Sequence, residues 1–327
     1  MTVRVTDAEI EELIRRFAAL DMGEWDRAAV ERAATELGWP IRRDYDRLAL
    51  QASLSAGHAR AYPDTTSDPR RDNGYQSLEY QLAELARGDD PQVLTEVFQA
   101  ARRAAERRLG PAPIRGGDGP WLRWRRPVSL LEIERTSRTV ELRLRPTQVV
   151  ENAEYRVGKW GDRDFAVATI GSWLSVARRD ASLEGLWLPG GFEAETWQDF
   201  QQWLAETLRA LVSDVPCLGE DLVMVLSPGD GSGRFVQLTI DDAGLLHMEA
   251  GRMPDDPNTL AAMGWEEHDE YVVAIDLDTP TGPEVDTAAR MLVETLRAHR
   301  VDLPELSHQA WFNNSDHDLI LLGLGLP

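Results

Sequence analysis

Two residue types are almost missing from this chain of 327 residues. Cys217 is the single cysteine. An intrachain disulfide is therefore excluded, and so is a cysteine cage for structural zinc. Lys159 is the single lysine among 35 basic residues, a bias that reflects a GC-rich genome more than the physics of a fold. Long apolar runs are also absent. The longest, "LILLGLGLP" near the C-terminus, falls well short of the roughly 20 residues that span a bilayer. The first residues, "MTVRVTDAEIEELIRR", carry acids and no apolar core, so they do not read as a signal peptide. Together these absences give the expectation of a cytoplasmic protein with no membrane partner.

Catalytic signatures are missing too. There is no G-x-S-x-G elbow and no H-E-x-x-H pair. The glycine-rich "SPGDGSGR" at Ser227–Arg234 lacks the Gly-Lys-Ser/Thr ending of a phosphate loop. It also leads into a strand rather than a helix, so it reads as a hairpin turn. The six histidines are well separated in the chain. "NNSDHD" at Asn313–Asp318 offers Asp316, His317 and Asp318, but adjacent residues rarely converge on one ion, and a polar loop is the expectation. Cys217 has no histidine near it in sequence and reads as a small core or loop residue. No enzyme, metal or cofactor is expected.

What the chain does have is acid, unevenly placed. The formal net charge is −21. Residues 1–160 hold 26 basic and 26 acidic side chains, whereas residues 161–327 hold 9 and 30. Such asymmetry argues for two bodies with different surfaces, a neutral domain over 1–160 and an acidic one over 161–327. The acid excess repels nucleic acid and fits either simple solubility or attraction to a basic partner. "WLRWRRP" interleaves aromatics with arginine as some nucleic-acid binders do, but Glu132, Glu134 and Glu141 share its ribbon, and no nucleic-acid partner is expected.

Hydrophobic periodicity supplies the elements. Asp7 reads as the cap of a helix with Ile10, Leu13, Ile14, Phe17 and Leu20 on one face. Asp26 opens a second helix, stopped at Gly38 by a left-handed cap. Strands are expected in "DRLALQASLSAGHARAY" and "GYQSLEYQLAEL", with a polar loop over Pro63–Gly74 between them. Asp90-Pro91 opens a helix that ends at Gly110. "GPWLRWRRPVSLLEIERTSRTVELRLRP" alternates as a hairpin, with one buried face and one charged, exposed face. Residues 146–192 are ambiguous, and "DFAVATIGSWLSVARRD" fits helix or strand. Beyond them come a helix through Trp197, Phe200, Leu204, Leu208 and Leu211, and strands "DLVMVLS", "RFVQLTI" and "GLLHMEAG". A short helix "TLAAMGW", a strand "YVVAIDL" and a long helix from Pro283 to His299 complete the reading.

Gly-Trp occurs twice, at Gly38-Trp39 and Gly264-Trp265, each followed by an acid and a tyrosine at the same spacing. "EVFQAAR" at Glu96–Arg102 also echoes "EVDTAAR" at Glu284–Arg290. A diverged duplication and a common helix-ending cap used twice both fit.

"RFVQLTIDDAGLLHMEAG", "LAAMGWEE" and "AARMLVETLRAHRVDLPELSHQAW" together resemble a bacterial domain family related to type III secretion chaperones and to the YbjN proteins, described as peptide binders. "FAALDMGEWDRAAVERAATELGW", with the arginine-rich ribbon, is similar to an uncharacterised domain of GC-rich bacteria. The resemblance implies an α/β (α+β) architecture. Each of two units would be a twisted antiparallel sheet with helices packed on one side, secretion-chaperone-like. It brings no catalytic residues. It implies a non-catalytic chaperone or adaptor for a protein or peptide partner. The acid excess keeps open an immunity-type inhibitor that neutralises a basic toxin. Trp121, Trp124, Trp265, Tyr271 and Trp311 are the candidate partner-binding aromatics, against the expectation that most of the 11 tryptophans are core.

Overall fold

The computed structural model describes residues 3–44, 47–50, 59–63, 75–252, 257–313 and 315–326. Tyr45, residues 51–58 of the first expected strand and nearly all of the polar loop lie outside the described residues. The chain divides into two compact units. One comprises residues 1–115, 119–156 and 179–187, the other residues 116–118, 157–178 and 188–327.

The first unit is an antiparallel sheet of eight strands. Its strands are β1 (Val3–Arg4), β2 (Ile41–Asp44), β3 (Arg47–Leu50), β4 (Ala59–Pro63) and β5 (Tyr75–Glu84). A short β6 (Ile114–Gly117) marks the passage toward the second unit, and β7 (Trp121–Arg125), β8 (Ser129–Arg135) and β9 (Thr139–Pro146) complete the set. The order is β7-β8-β9-β5-β4-β3-β2, with β1 added against β5. Helices α1 (Asp7–Ala19), α2 (Arg27–Leu37) and α3 (Gln92–Leu109) cover the apolar face. Their buried residues Ile10, Leu13, Phe17, Val30, Leu94 and Phe98 follow one helical face each. Helix α1 begins one residue earlier than Asp7 implies. Thr6 is the cap, because its hydroxyl accepts from Glu9 N–H while the Glu9 carboxylate accepts from Thr6 N–H. Gly38 ends α2 at φ +69°, as expected, and the following Trp39 N–H bonds back to Ala34.

The β8–β9 hairpin forms in the expected register, with Leu131 opposite Leu144 and Ile133 opposite Leu142. Its charged face is not solvated, however. Arg123, Glu132, Arg143 and Glu79 stand side by side across β7, β8, β9 and β5. Helix α4 (Thr147–Trp160), from the stretch whose sequence was ambiguous, lies over this row. Its Glu154 reaches Arg123 at 2.9 Å, and its Glu151 reaches Arg125 at 2.5 Å. Glu132 is almost wholly buried and meets Arg123 at 2.9 Å. Burial alone would push the Glu132 carboxyl up, but Arg123, Arg145 and Arg143 together hold it below the usual carboxylate range.

The second unit contains α5 (Arg163–Ile170), β10 (Trp173–Ala177), α6 (Trp197–Leu218), β11 (Leu222–Ser227), β12 (Val236–Ile240) and β13 (Leu246–Gly251). It continues with α7 (Pro257–Ala262), β14 (Glu266–Glu267), β15 (Val272–Leu277), α8 (Gly282–Ala298), β16 (Ser307–Phe312) and β17 (His317–Ile320). "DFAVATIGSWLSVARRD" is thus both helix and strand, broken at Gly171 (φ +114°). A Cβ at Gly171 would fall 1.9 Å from the Gly117 carbonyl oxygen, so only glycine fits there. Six strands form one antiparallel sheet in the order β14-β15-β13-β12-β11-β16, and β10 pairs with β17 apart from it. Helices α6 and α8 pack on each other and on β12. Phe200, Leu204, Leu208 and Leu211 of α6 and Val285, Ala289, Leu292 and Leu296 of α8 are buried. They meet Leu222, Met224, Leu238, Ile240, Leu246 and Met248, the alternate residues of the central strands. Among the described residues no helix is long and apolar enough to cross a membrane.

Candidate functional site

The six-stranded sheet has helices on one face only. Alternation fixes what the other face presents, since directly paired residues share a face. One row across the sheet reads Trp311, Val223, Thr239, His247 and Asp276. The next reads Gln309, Val225, Gln237, Glu249, Ala274 and Glu266. Apart from Ala274, these side chains are half-buried or exposed, whereas their sequence neighbours on the central strands β11, β12 and β13 are buried. This is an open sheet face, partly apolar and partly acidic.

The acidic part is ordered. Asp276 meets His247 Nδ1 at 2.5 Å, and Glu249 meets His247 Nε2 at 3.1 Å. Gln237 Nε2 donates to Glu249 at 3.0 Å. Partial burial would lower the His247 pKa, but the hydrogen bonds to Asp276 and Glu249, and the charges of both, raise it. The face therefore holds an imidazole between two carboxylates, which favour its protonated form.

At one edge of this sheet lies β16. The Asn313 N–H donates to Asp221 at 2.8 Å, which makes Asn313, Trp311, Gln309 and Ser307 the residues bonded toward β11. His308 and Ala310 then point their backbone N–H and C=O groups away from β11. Such an edge is a template on which an extended segment can add.

The five sequence-derived aromatics separate sharply. Trp121, Trp124 and Trp265 are buried. Trp124 Nε1 donates to the Gly110 carbonyl, and Trp265 Nε1 donates to Thr295 Oγ1, so both polar handles are used internally. Tyr271 is 72% and Trp311 38% exposed. Trp311 lies on the open face, and Tyr271 precedes β15 at its far end. Acidic residues in the turns of this sheet divide between its two ends. Asp241 and Asp242 lie at the β12–β13 turn, while Asp269 and Glu270 lie at the β14–β15 turn, at the opposite end of the strands. The carboxylates that do share the face are Glu249, Glu266 and Asp276. The signal for them was the alternation in "LHMEAG", where His247 and Glu249 interrupt buried Leu246, Met248 and Ala250.

The remaining motifs resolve simply. "SPGDGSGR" is the β11–β12 turn, with positive φ at Gly229, Gly231 and Gly233. The Asp230 carboxyl there accepts from Ser232 and Arg234, which holds it down at about 2. In "NNSDHD", Asp316 and Asp318 both face Arg178, at 3.8 and 2.8 Å. Cys217 is buried and donates to the Ser213 carbonyl. Among the described residues no three His, Cys, Asp or Glu side chains are arranged to hold a metal ion.

A two-layer sandwich with an open antiparallel face has room for an extended segment. Residues 193–312, which hold α6 through β16, match the family described as "T3SS (YopN, CesT) and YbjN peptide-binding chaperone 3". That segment is thus similar to a family whose members are described as peptide-binding chaperones. Residues 8–146 match a family of unknown function, DUF6301. No curated protein matches the chain, and no solved structure does.

Proposed function

We propose that this protein is a non-catalytic chaperone or adaptor, cytoplasmic and associated with secretion, whose acidic C-terminal domain (161–327) captures an extended segment of a partner. The segment lies across the open face of the six-stranded sheet, from β16 toward β15. The neutral domain over 1–160 would hold or present the complex. The observation that carries this reading is the coincidence of the chaperone family match with a sheet face that, among the described residues, helices leave open. The acid excess supports a second reading, an immunity-type inhibitor of a basic toxin, which would bind a folded protein rather than an unfolded segment.

A photo-crosslinking amino acid tests the first reading. It is placed at Gln309 on the open face, or at Arg290 on the exposed side of α8, and the full chain is mixed with a pool of unstructured peptides of about fifteen residues, long enough to cross the sheet. Crosslinks from position 309 and not from position 290 are the expected result. Crosslinks from position 290 alone, or from neither, would overturn it.

A further inference from the structure

The open face has a direction. At its β16 side stand Trp311 and Val223, apolar and partly exposed. At its β15 side stand His247 and Asp276, with Glu249 and Glu266 in the adjoining row. No arginine or lysine occupies any position of the two rows, although arginines abound elsewhere in the chain. Three carboxylates with a single histidine among them repel one another, and a cation from outside relieves that repulsion. The imidazole of His247, bonded to two carboxylates at once, shows the geometry in which a nitrogen donor is received there. Asp276 keeps 64% of its side chain exposed, so one oxygen remains within reach of an incoming donor. From β16 to β15 is four strand spacings, about 19 Å, which an extended chain covers in about six residues.

We propose that the occupant of this face is an extended segment bearing an apolar side chain over Trp311 and Val223 and, about six residues away, an arginine or lysine over Glu249 and Asp276. This rests on the peptide-binding reading above and names the chemistry of the peptide. Arginine suits the basic position because its planar fork presents several donors, enough to reach both of the carboxylates that flank His247. The apolar end supplies affinity by area removed from water, and the acidic end supplies orientation and choice of partner.

Three labelled peptides of about twelve residues, of equal apolar content, separate these claims in a fluorescence anisotropy titration of the full chain. One carries leucine and arginine six positions apart, the second replaces the arginine by glutamate, and the third sets leucine and arginine two apart. The first is expected to bind about tenfold more tightly than either of the others, and to lose that advantage as salt rises. The double variant Glu249→Gln, Asp276→Asn should abolish the preference while its circular dichroism stays unchanged. Trp311→Ala should weaken all three peptides alike. Equal binding of the arginine and glutamate peptides overturns this proposal and leaves the peptide-binding reading standing. Binding of none overturns both. A second copy of the chain on this face would show in sedimentation as a dimer that Asp276→Asn dissolves, and would overturn the proposal as well.

Discussion

Each unit contains an antiparallel sheet whose strands alternate apolar and charged residues, and the two sheets treat their charges oppositely. In the first, the row Arg123, Glu132, Arg143 and Glu79 is balanced, cation beside anion, and Glu154 and Glu151 of α4 close over it. In the second, the row through His247 and Asp276 and the adjoining row with Glu249 and Glu266 together hold three carboxylates and no arginine or lysine, and stay open. A balanced row can be buried because each charge finds its partner within the protein. An unbalanced row can only be buried by a partner that brings the missing charge. The difference teaches which sheet completes its charge balance by folding and which leaves carboxylates open to solvent.

The largest test of that contrast is to remove one charge from each row. Arg123→Ala strands Glu132 and Glu154 out of water and is expected to cost about 3–5 kcal/mol in chemical denaturation. Asp276→Asn, on the open row, is expected to change stability by less than about 0.5 kcal/mol. Similar losses from both variants would erase the distinction. The Gly-Trp caps give an intermediate effect. Gly38 and Gly264 have φ of +69° and +102° with open space where a Cβ would go. Alanine at either is therefore expected to cost only the backbone term, about 1 kcal/mol, with no added clash, as thermal melts of the two variants would show.

A smaller effect concerns pH. The folded-state pKa of His247 is raised above the ordinary value of 6.5, so its protonated form stabilises the fold. That contribution is fully present below the ordinary value and is lost as pH rises through the raised one. His299 and His308, whose pKa values burial pushes down, act in the opposite sense and lose stability as pH falls. The difference in stability between the native chain and His247→Gln isolates the first term, and it should shrink steadily above neutrality. A difference independent of pH would mean that Asp276 and Glu249 do not hold the imidazole charged. The smallest effect on folding is expected from Trp311→Ala, since the ring is 38% exposed. A large drop in melting temperature there would place Trp311 among the core tryptophans and remove it from the open face.

Much of this was legible in the amino-acid sequence. Strong 3.6-residue periodicity gave α1, α2, α6 and α8, and strict alternation gave β8, β9, β12 and β13. The left-handed stops at Gly38 and Gly264 were legible because an apolar helix followed by Gly-Trp leaves few other conformations. What alternation does not reveal is the medium a polar face meets. Arg123 and Glu132 look like solvated residues until α4 is placed over them, and α4 itself was obscured because its Glu151 and Glu154 break the apolar pattern they serve. Strand β16 was missed for a related reason. An edge strand buries little, and of "SHQAWF" only Phe312 is buried, so no period is written into it. The candidate site shares that difficulty. A surface shaped for a partner carries the pattern of the partner's chemistry rather than of its own core, which is why Trp121, Trp124 and Trp265 stood out in the sequence and His247 with Asp276 did not.

The seal over the first sheet also sets an order of events in time. Synthesis runs from the N-terminus, and domains generally begin to fold as they emerge. The strands carrying Arg123 and Glu132 leave the ribosome before Glu151 and Glu154 do. For that interval the ladder of charges is wetted by solvent, and the hairpin can form without any burial cost, because its ions are still hydrated. Only when α4 arrives do the ions lose their water, and it brings Glu154 to Arg123 and Glu151 to Arg125 in the same step. The first unit thus meets this desolvation step late, with the charges of the sheet itself already in register.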